Sequence, residues 1–142
     1  MPGMAEIYSA TSTAWGGREG KVESSDGRVK LDLSVPKAMG GDDGPGTNPE
    51  QLFATGYAAC FHSALKLVAR ARKVDVADSA VSVTVGFLAG DDGGFDLSTR
   101  IEAELPGVER SVAEELIAAA DQACPYSRAT RGNIAHEVAL VD

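Results

Sequence analysis

The chain has 142 residues, 44% of them hydrophobic and 24% charged, with a net charge of −8. The length suits one domain, residues 1–142, with a core of its own. The composition is that of a soluble globular protein rather than a disordered tail or a disulfide scaffold. No uninterrupted apolar run approaches the ~18 residues of a membrane span, and an acidic surface repels phosphate backbones, so neither a membrane nor nucleic acid is an expected partner.

In chain order, Met1-Pro2-Gly3-Met4 lacks the basic and apolar regions of an export signal, and a cytoplasmic location is expected. Ile7 to Thr13 reads as a weak strand. Trp15 to Gly20 is a glycine-rich turn carrying Arg18. Ser24-Ser25-Asp26-Gly27 is a hairpin turn. It leads into a strand whose one face carries Val29, Leu31, Leu33 and Val35. Met39 to Gly46 is a loop. Asn48 as N-cap, Pro49 at the first helical position and Gln51 at the third start a helix running to Lys73. Leu52, Phe53, Tyr57, Cys60, Phe61, Ala64, Leu67, Val68 and Ala71 give it a wide apolar surface. That surface predicts a central helix buried on most sides. Arg70, Arg72 and Lys73 suit its last turn.

Two alternating runs, Val81–Phe87 and Phe95–Leu105, flank the turn Asp91-Asp92-Gly93-Gly94 and predict a second hairpin. Ser111-Val112-Ala113-Glu114 has the form of a capping box opening a helix to about Ala123. Pro125 to Gly132 reads as a short turn or helical loop, and Ile134, His136, Val138 and Leu140 as a last strand. Hairpins with intervening helices predict an α+β fold with mainly antiparallel sheet.

The chain has two cysteines, Cys60 and Cys124. Without an export signal a reducing compartment is expected, where such cysteines are inert core residues or functional thiols. Cys60 lies mid-helix in apolar surroundings, which raise a thiol pKa, so a catalytic role requires a cation. His62, two positions on, faces away from it. The candidates are Arg18, Arg128 and Arg131. Cys124 sits at a helix C-terminus, where the partial negative charge disfavours a thiolate. It suits a second thiol on a mobile loop, so Cys60 attacks and Cys124 resolves. A zinc site from Cys60, His62, Cys124 and His136 fits no ligand spacing. A Cys60–His136 hydrolase has no local signature.

Gly44-Pro45-Gly46-Thr47-Asn48-Pro49-Glu50-Gln51-Leu52-Phe53-Ala54, Gly56-Tyr57-Ala58-Ala59-Cys60-Phe61 and Ala123-Cys124-Pro125-Tyr126-Ser127 together resemble the organic hydroperoxide resistance proteins of the OsmC/Ohr family. So do Gly16 to Gly20, Ser24 to Gly27 and Ala129 to Ile134. The resemblance implies a bacterial thiol peroxidase that reduces organic hydroperoxides to alcohols. It implies an intertwined α+β homodimer, with sheet wrapped around a long central helix and two sites at the subunit interface. It places the peroxidatic cysteine at Cys60, the resolving cysteine at Cys124, with which it forms a disulfide, the catalytic arginine at Arg18 and the catalytic glutamate at Glu50. The implied reductant is dihydrolipoamide on a lipoylated protein, or another dithiol, with no bound cofactor or metal. His62-Ser63 and Arg128 depart from the family's usual residues. The osmotically inducible branch of the superfamily and a non-enzymatic thiol sensor are the alternatives.

The residues suit these roles. Arg18 is a permanent cation able to stabilise a thiolate and a leaving alkoxide. Glu50 pairs with and orients it, and Phe53 and Met39 are apolar neighbours for an alkyl group. Glu50 and Cys60 lie ten positions apart on one helix, roughly 15 Å along its axis. If both serve one site, Glu50 belongs to the site of a second chain.

Overall fold

The computed structural model describes residues 3–142. Met1 and Pro2 of the opening segment lie outside the described residues. The chain divides into two compact units, Met1–Pro49 and Glu50–Asp142.

The first unit is an antiparallel meander of β1 (Ser12–Trp15), β2 (Lys21–Ser24) and β3 (Lys30–Asp32). The first strand begins later than the sequence suggests and takes in Trp15. Its pairing runs from Ser12 opposite Ser24 to Trp15 opposite Lys21, while Ile7 and Tyr8 are exposed. Asp26 makes the hairpin turn. Its carboxylate accepts from the Ser24 hydroxyl and the Arg28 N–H, at 2.8 and 3.0 Å. The third strand is shorter than its alternation suggests. Leu33 makes only an isolated bridge with Thr47 and is buried, whereas Val29 and Leu31 are each 41% exposed. A short 3-10 turn, Lys37–Met39, opens the loop that follows.

The second unit contains α1 (Pro49–Ala71), β4 (Ala80–Ala89), β5 (Phe95–Glu104), α2 (Arg110–Ala123), α3 (Pro125–Thr130) and β6 (Ala135–Leu140). Strands β4 and β5 form the expected hairpin, with Val83 opposite Ile101. Strand β6 adds to the other edge of β5 and runs parallel to it. The sheets are mainly antiparallel, as expected, and among the described residues this pairing of named strands is the parallel exception. The chain crosses over through α2 and α3 before returning, and such a crossover delivers a parallel strand.

Tyr57, Phe61 and Leu65 repeat every four residues on α1. They meet Ile101 and Ala103 of β5 and Leu116 and Ala120 of α2 in one core cluster. Helix α2 buries Ala113, Leu116, Ile117 and Ala120, the i, i+3, i+4, i+7 stripe of an amphipathic helix. Helix α1 is less enclosed than expected: its buried residues are Tyr57, Phe61, Ala64, Leu65 and Ala69, and Leu67 is 63% exposed. The apolar surface written into its sequence is wider than this chain alone covers. By length and composition α1 is long and apolar enough to cross a membrane, with mean hydropathy 1.2. Its regular stripe of core residues gives it the packing of a core helix.

Helix α2 also starts differently. Its N-cap is Glu109, whose carboxylate accepts from the Val112 N–H, and the Ser111 hydroxyl donates to that same carboxylate. Ser111 is therefore inside the helix and the capping box is not formed.

Candidate active site

Cys60, half-buried on α1, and Cys124, fully buried between α2 and α3, meet in the second unit. Both thiols are reduced, and the Cys124 Sγ–H donates to Cys60 Sγ at 3.5 Å. A disulfide has S–S near 2.05 Å, so bonding needs an approach of only about 1.5 Å. Cys124 is not on a mobile loop. It is at once the C-cap of α2 and the N-cap of α3 (φ −67°, ψ 122°). Its N–H donates to the Ala120 carbonyl at 2.8 Å, and its carbonyl accepts from the Arg128 N–H at 3.0 Å. Pro125 causes this geometry: it bars the α conformation at Cys124 and then starts α3 at a position where its missing N–H costs nothing. The sulfur therefore lies at two helix ends whose partial charges oppose each other, rather than at a C-terminus alone.

Burial pushes the Cys60 thiol above its ordinary value of 9.0. The Tyr126 backbone N–H acts the other way, while the Cys124 hydrogen bond and charge add to the rise. Thiolate formation at Cys60 accordingly calls for a cation.

Beside the sulfurs stands an aromatic cluster. The Phe53 ring stacks on Tyr126 at 6.0 Å, and Tyr57 tilts against both, 5.8 Å from Phe53 and 5.5 Å from Tyr126. Gly56 gives Tyr126 its room, since a Cβ there would stand 3.2 Å from the Tyr126 hydroxyl oxygen. Behind the cluster runs a polar network. The Tyr57 hydroxyl bonds Ser127 Oγ at 2.7 Å and Thr130 Oγ1 at 3.2 Å, and lies 3.5 Å from His136 Nδ1. His136 Nδ1 also meets Thr99 Oγ1 at 2.8 Å, and its Nε2 meets Asp121 Oδ1 at 2.9 Å. Burial raises the Tyr57 pKa against the lowering effect of Ser127 and Thr130. The sequence marks Tyr57 as a helix-face residue and His136 as a strand residue without a supported zinc or hydrolase role, and it assigns no task to Tyr126, Ser127, Thr130 or Asp121. The available signal was spacing: Phe53, Tyr57, Cys60 and Phe61 fall on one helical stripe.

Arg18, in the first unit, is half-buried on a 3-10 turn, Gly17–Glu19. Gly16 (φ 82°) and Gly20 flank it, and a Cβ on Gly20 would come within 1.7 Å of the Trp15 carbonyl oxygen. Glu50 is half-buried in the first turn of α1, where the helix end favours a carboxylate. Met39 is half-buried in the first unit. Arg131 engages Asp121, donating to its carbonyl at 2.9 Å and standing 3.7 Å from its carboxylate, and Arg128 is exposed. His62 bonds Ser79 Oγ at 2.9 Å, as expected of a residue turned from Cys60. Both His136 nitrogens are engaged by Thr99 and Asp121, away from Cys60 chemistry. Among the described residues no group of three or more His, Cys, Asp and Glu side chains is placed to hold a metal ion.

The chain is α+β, with two reduced cysteines in contact beside an aromatic cluster. The family model described as OsmC-like protein matches residues 40–139, and the chain belongs to the OsmC/Ohr family. An organic hydroperoxide resistance protein-like 2 of Staphylococcus epidermidis is 47% identical over 129 residues, 90% of this chain and 91% of that protein. An organic hydroperoxide resistance protein of Xanthomonas axonopodis pv. citri is 45% identical, with 90% of each chain covered. The crystal structure of an organic hydroperoxide resistance protein from Legionella pneumophila superposes with a TM-score of 0.92 at 42% identity, covering 97% of this chain and 100% of that one.

Proposed function

We propose that this chain is a cysteine-based organic hydroperoxide reductase that protects against organic peroxide stress. The observation that carries the reading is the 3.5 Å contact between two reduced cysteine sulfurs. The names of its bacterial relatives, organic hydroperoxide resistance proteins, support organic hydroperoxides as the substrate class. The Cys60 thiolate attacks the terminal peroxide oxygen. The O–O bond breaks, the alkoxide leaves and takes up a proton as the alcohol, and Cys60 becomes a sulfenic acid. The Cys124 thiol then displaces that hydroxyl as water and closes a Cys60–Cys124 disulfide. An external dithiol, dihydrolipoamide on a lipoylated protein, reduces the disulfide and becomes oxidised itself.

Because the groups around Cys60 in the second unit leave its thiol raised, we assign Arg18 as the activating cation. Arg131 is engaged by Asp121, and Arg128 is a surface residue. Glu50 orients Arg18, and the Phe53–Tyr126 stack receives the alkyl group. The working form is a cytoplasmic homodimer.

The test is consumption of cumene hydroperoxide with dihydrolipoamide, dithiothreitol or a monothiol as reductant. The wild type should turn over with dithiols and best with dihydrolipoamide. Cys60→Ser should be inactive, and Cys124→Ser should react once and leave a sulfenic acid on Cys60 that a specific probe captures. Disulfide formation without multiple turnover would mark a peroxide sensor instead. Turnover by Cys60→Ser would overturn the assignment.

A further inference from the structure

From Tyr57 of the core cluster, against which Cys60 packs, runs a hydrogen-bond network that the two-cysteine chemistry does not itself require. Tyr57 is fully buried and stands three positions before Cys60, so its side chain shares the Cys60 face of α1. Its hydroxyl reaches Ser127, three residues after Cys124, at 2.7 Å, and Thr130, six residues after, at 3.2 Å. The Thr130 hydroxyl also donates to the Ser127 carbonyl at 3.3 Å. On the other side of Cys124, Asp121 of α2 holds His136 at 2.9 Å, and His136 holds Thr99 of β5 at 2.8 Å. The bonds thus bracket Cys124 from both directions in sequence.

Helix α3 has six residues, too few to be stable alone. Its place depends on what anchors it, and its N-cap is the Cys124 sulfur's own residue. One stripe of α1 carries both the Cys60 sulfur and the hydroxyl that anchors α3.

We propose that Tyr57 is a positioning residue for disulfide closure, acting through Ser127 and Thr130 to hold α3, and with it the Cys124 sulfur, at attack distance from Cys60. This rests on the thiol-peroxidase reading above. The step it serves is the second one: the Cys124 thiol attacks the Cys60 sulfenic acid, the S–S bond forms, and the hydroxyl leaves as water with the thiol proton. The peroxide step forms no bond to the Cys124 sulfur and so does not need it at attack distance. A misplacement of about 1 Å at a reacting pair is enough to slow a reaction substantially.

The experiment is rapid mixing of the reduced protein with one equivalent of cumene hydroperoxide. Peroxide loss is followed first, and conversion of sulfenic acid to intrachain disulfide second, by quenching with a sulfenic-acid probe and mass spectrometry. Tyr57→Phe should leave the first rate within about twofold of wild type and slow the second about tenfold, equivalent to ~1.4 kcal/mol. The probe should then capture a larger share of Cys60. Ser127→Ala, which removes the other end of the shortest bond and keeps the tyrosine ring, should show the same split. It serves alone if Tyr57→Phe does not fold. The double variant should be slowed little more than Tyr57→Phe, because Tyr57→Phe already removes the Ser127 bond along with the Thr130 one. A second rate unchanged in both variants, or both rates slowed equally, would overturn the positioning role, since general loosening of the fold does not separate the steps. A wild type that forms no Cys60 sulfenic acid would instead overturn the thiol-peroxidase reading, and this proposal with it.

Discussion

At Cys60 two demands conflict. The core needs a small apolar side chain on the inner side of α1, whereas peroxide chemistry needs a thiolate, and burial together with the Cys124 sulfur works against the charge. Arg18 on its glycine-built turn is our answer to the conflict. Arg18→Ala should slow the peroxide step more than about tenfold and move the rise of the pH–rate profile upward, because the thiol loses its cation. Arg18→Lys should recover only part of the rate, since an ammonium cannot make the bidentate carboxylate pair that we propose for Arg18 and Glu50. An unmoved thiol pKa in Arg18→Ala would refute the activation argument. The same residue also makes a stability prediction. A thiol whose folded-state pKa is raised by burial contributes stability that is complete below the ordinary value of 9.0 and is lost as pH rises through the folded value. Between about pH 8 and about pH 10 the melting temperature of Arg18→Ala should therefore fall further than that of Arg18→Ala/Cys60→Ser. Equal falls would place the alkaline loss elsewhere, Tyr57 being the other buried acid with a raised pKa.

At the scale of elements, the sequence is most legible where one physical signal dominates. Asn48-Pro49 announces α1, and the structure starts the helix at Pro49. The alternation around Asp91 to Gly94 gives the β4–β5 hairpin in register. Reading is poorer where two signals compete. Ser111 and Glu114 have capping-box spacing, but Glu109 lies two residues upstream with a longer, charged acceptor and takes the Val112 N–H first. Its pKa is lowered chiefly by the Ser111 hydroxyl, with backbone N–H groups adding to the effect. That contribution to stability is present above the unfolded value of 4.5 and is lost as pH falls through the folded one. Glu109→Ala should therefore melt below the wild type near neutral pH, with the gap closing in acid. Thermal melts across that range decide it, and a gap independent of pH would mean that the carboxylate charge contributes nothing. The parallel seating of β6 and the Tyr57 network have no local signature. Both depend on partners distant in sequence, 37 positions between Thr99 and His136 and 70 to 79 between Tyr57 and the partners of its hydroxyl, which periodicity within one segment does not encode. The cysteine pair was the legible part of the site because its motifs are local. The seating of Cys124 as a double cap was half legible, through Pro125.

At the scale of the molecule, α1 carries more apolar surface than its own chain buries. Ala59 and Leu67 are exposed along it. Glu50 and Cys60 belong to one unbroken helix, Pro49–Ala71. At 1.5 Å of rise per residue they stand roughly 15 Å apart along its axis, several times the reach of a carboxylate side chain. If both groups act in one site, a second chain supplies the glutamate, and an antiparallel neighbour on the exposed side of α1 gives a two-fold arrangement with two equivalent sites. The prediction is specific to that arrangement. A mixed dimer of a Glu50→Ala subunit and a Cys60→Ser subunit would pair one doubly damaged site with one intact site. Purified by two different affinity tags, it should retain about half of the wild-type rate with cumene hydroperoxide and dihydrolipoamide, while each parent homodimer is severely impaired. Were the two residues to act within one chain, each site of the mixed dimer would carry one defect and the heterodimer would be as impaired as its parents. Monomers by sedimentation, with full wild-type activity, would dispose of the dimeric site altogether.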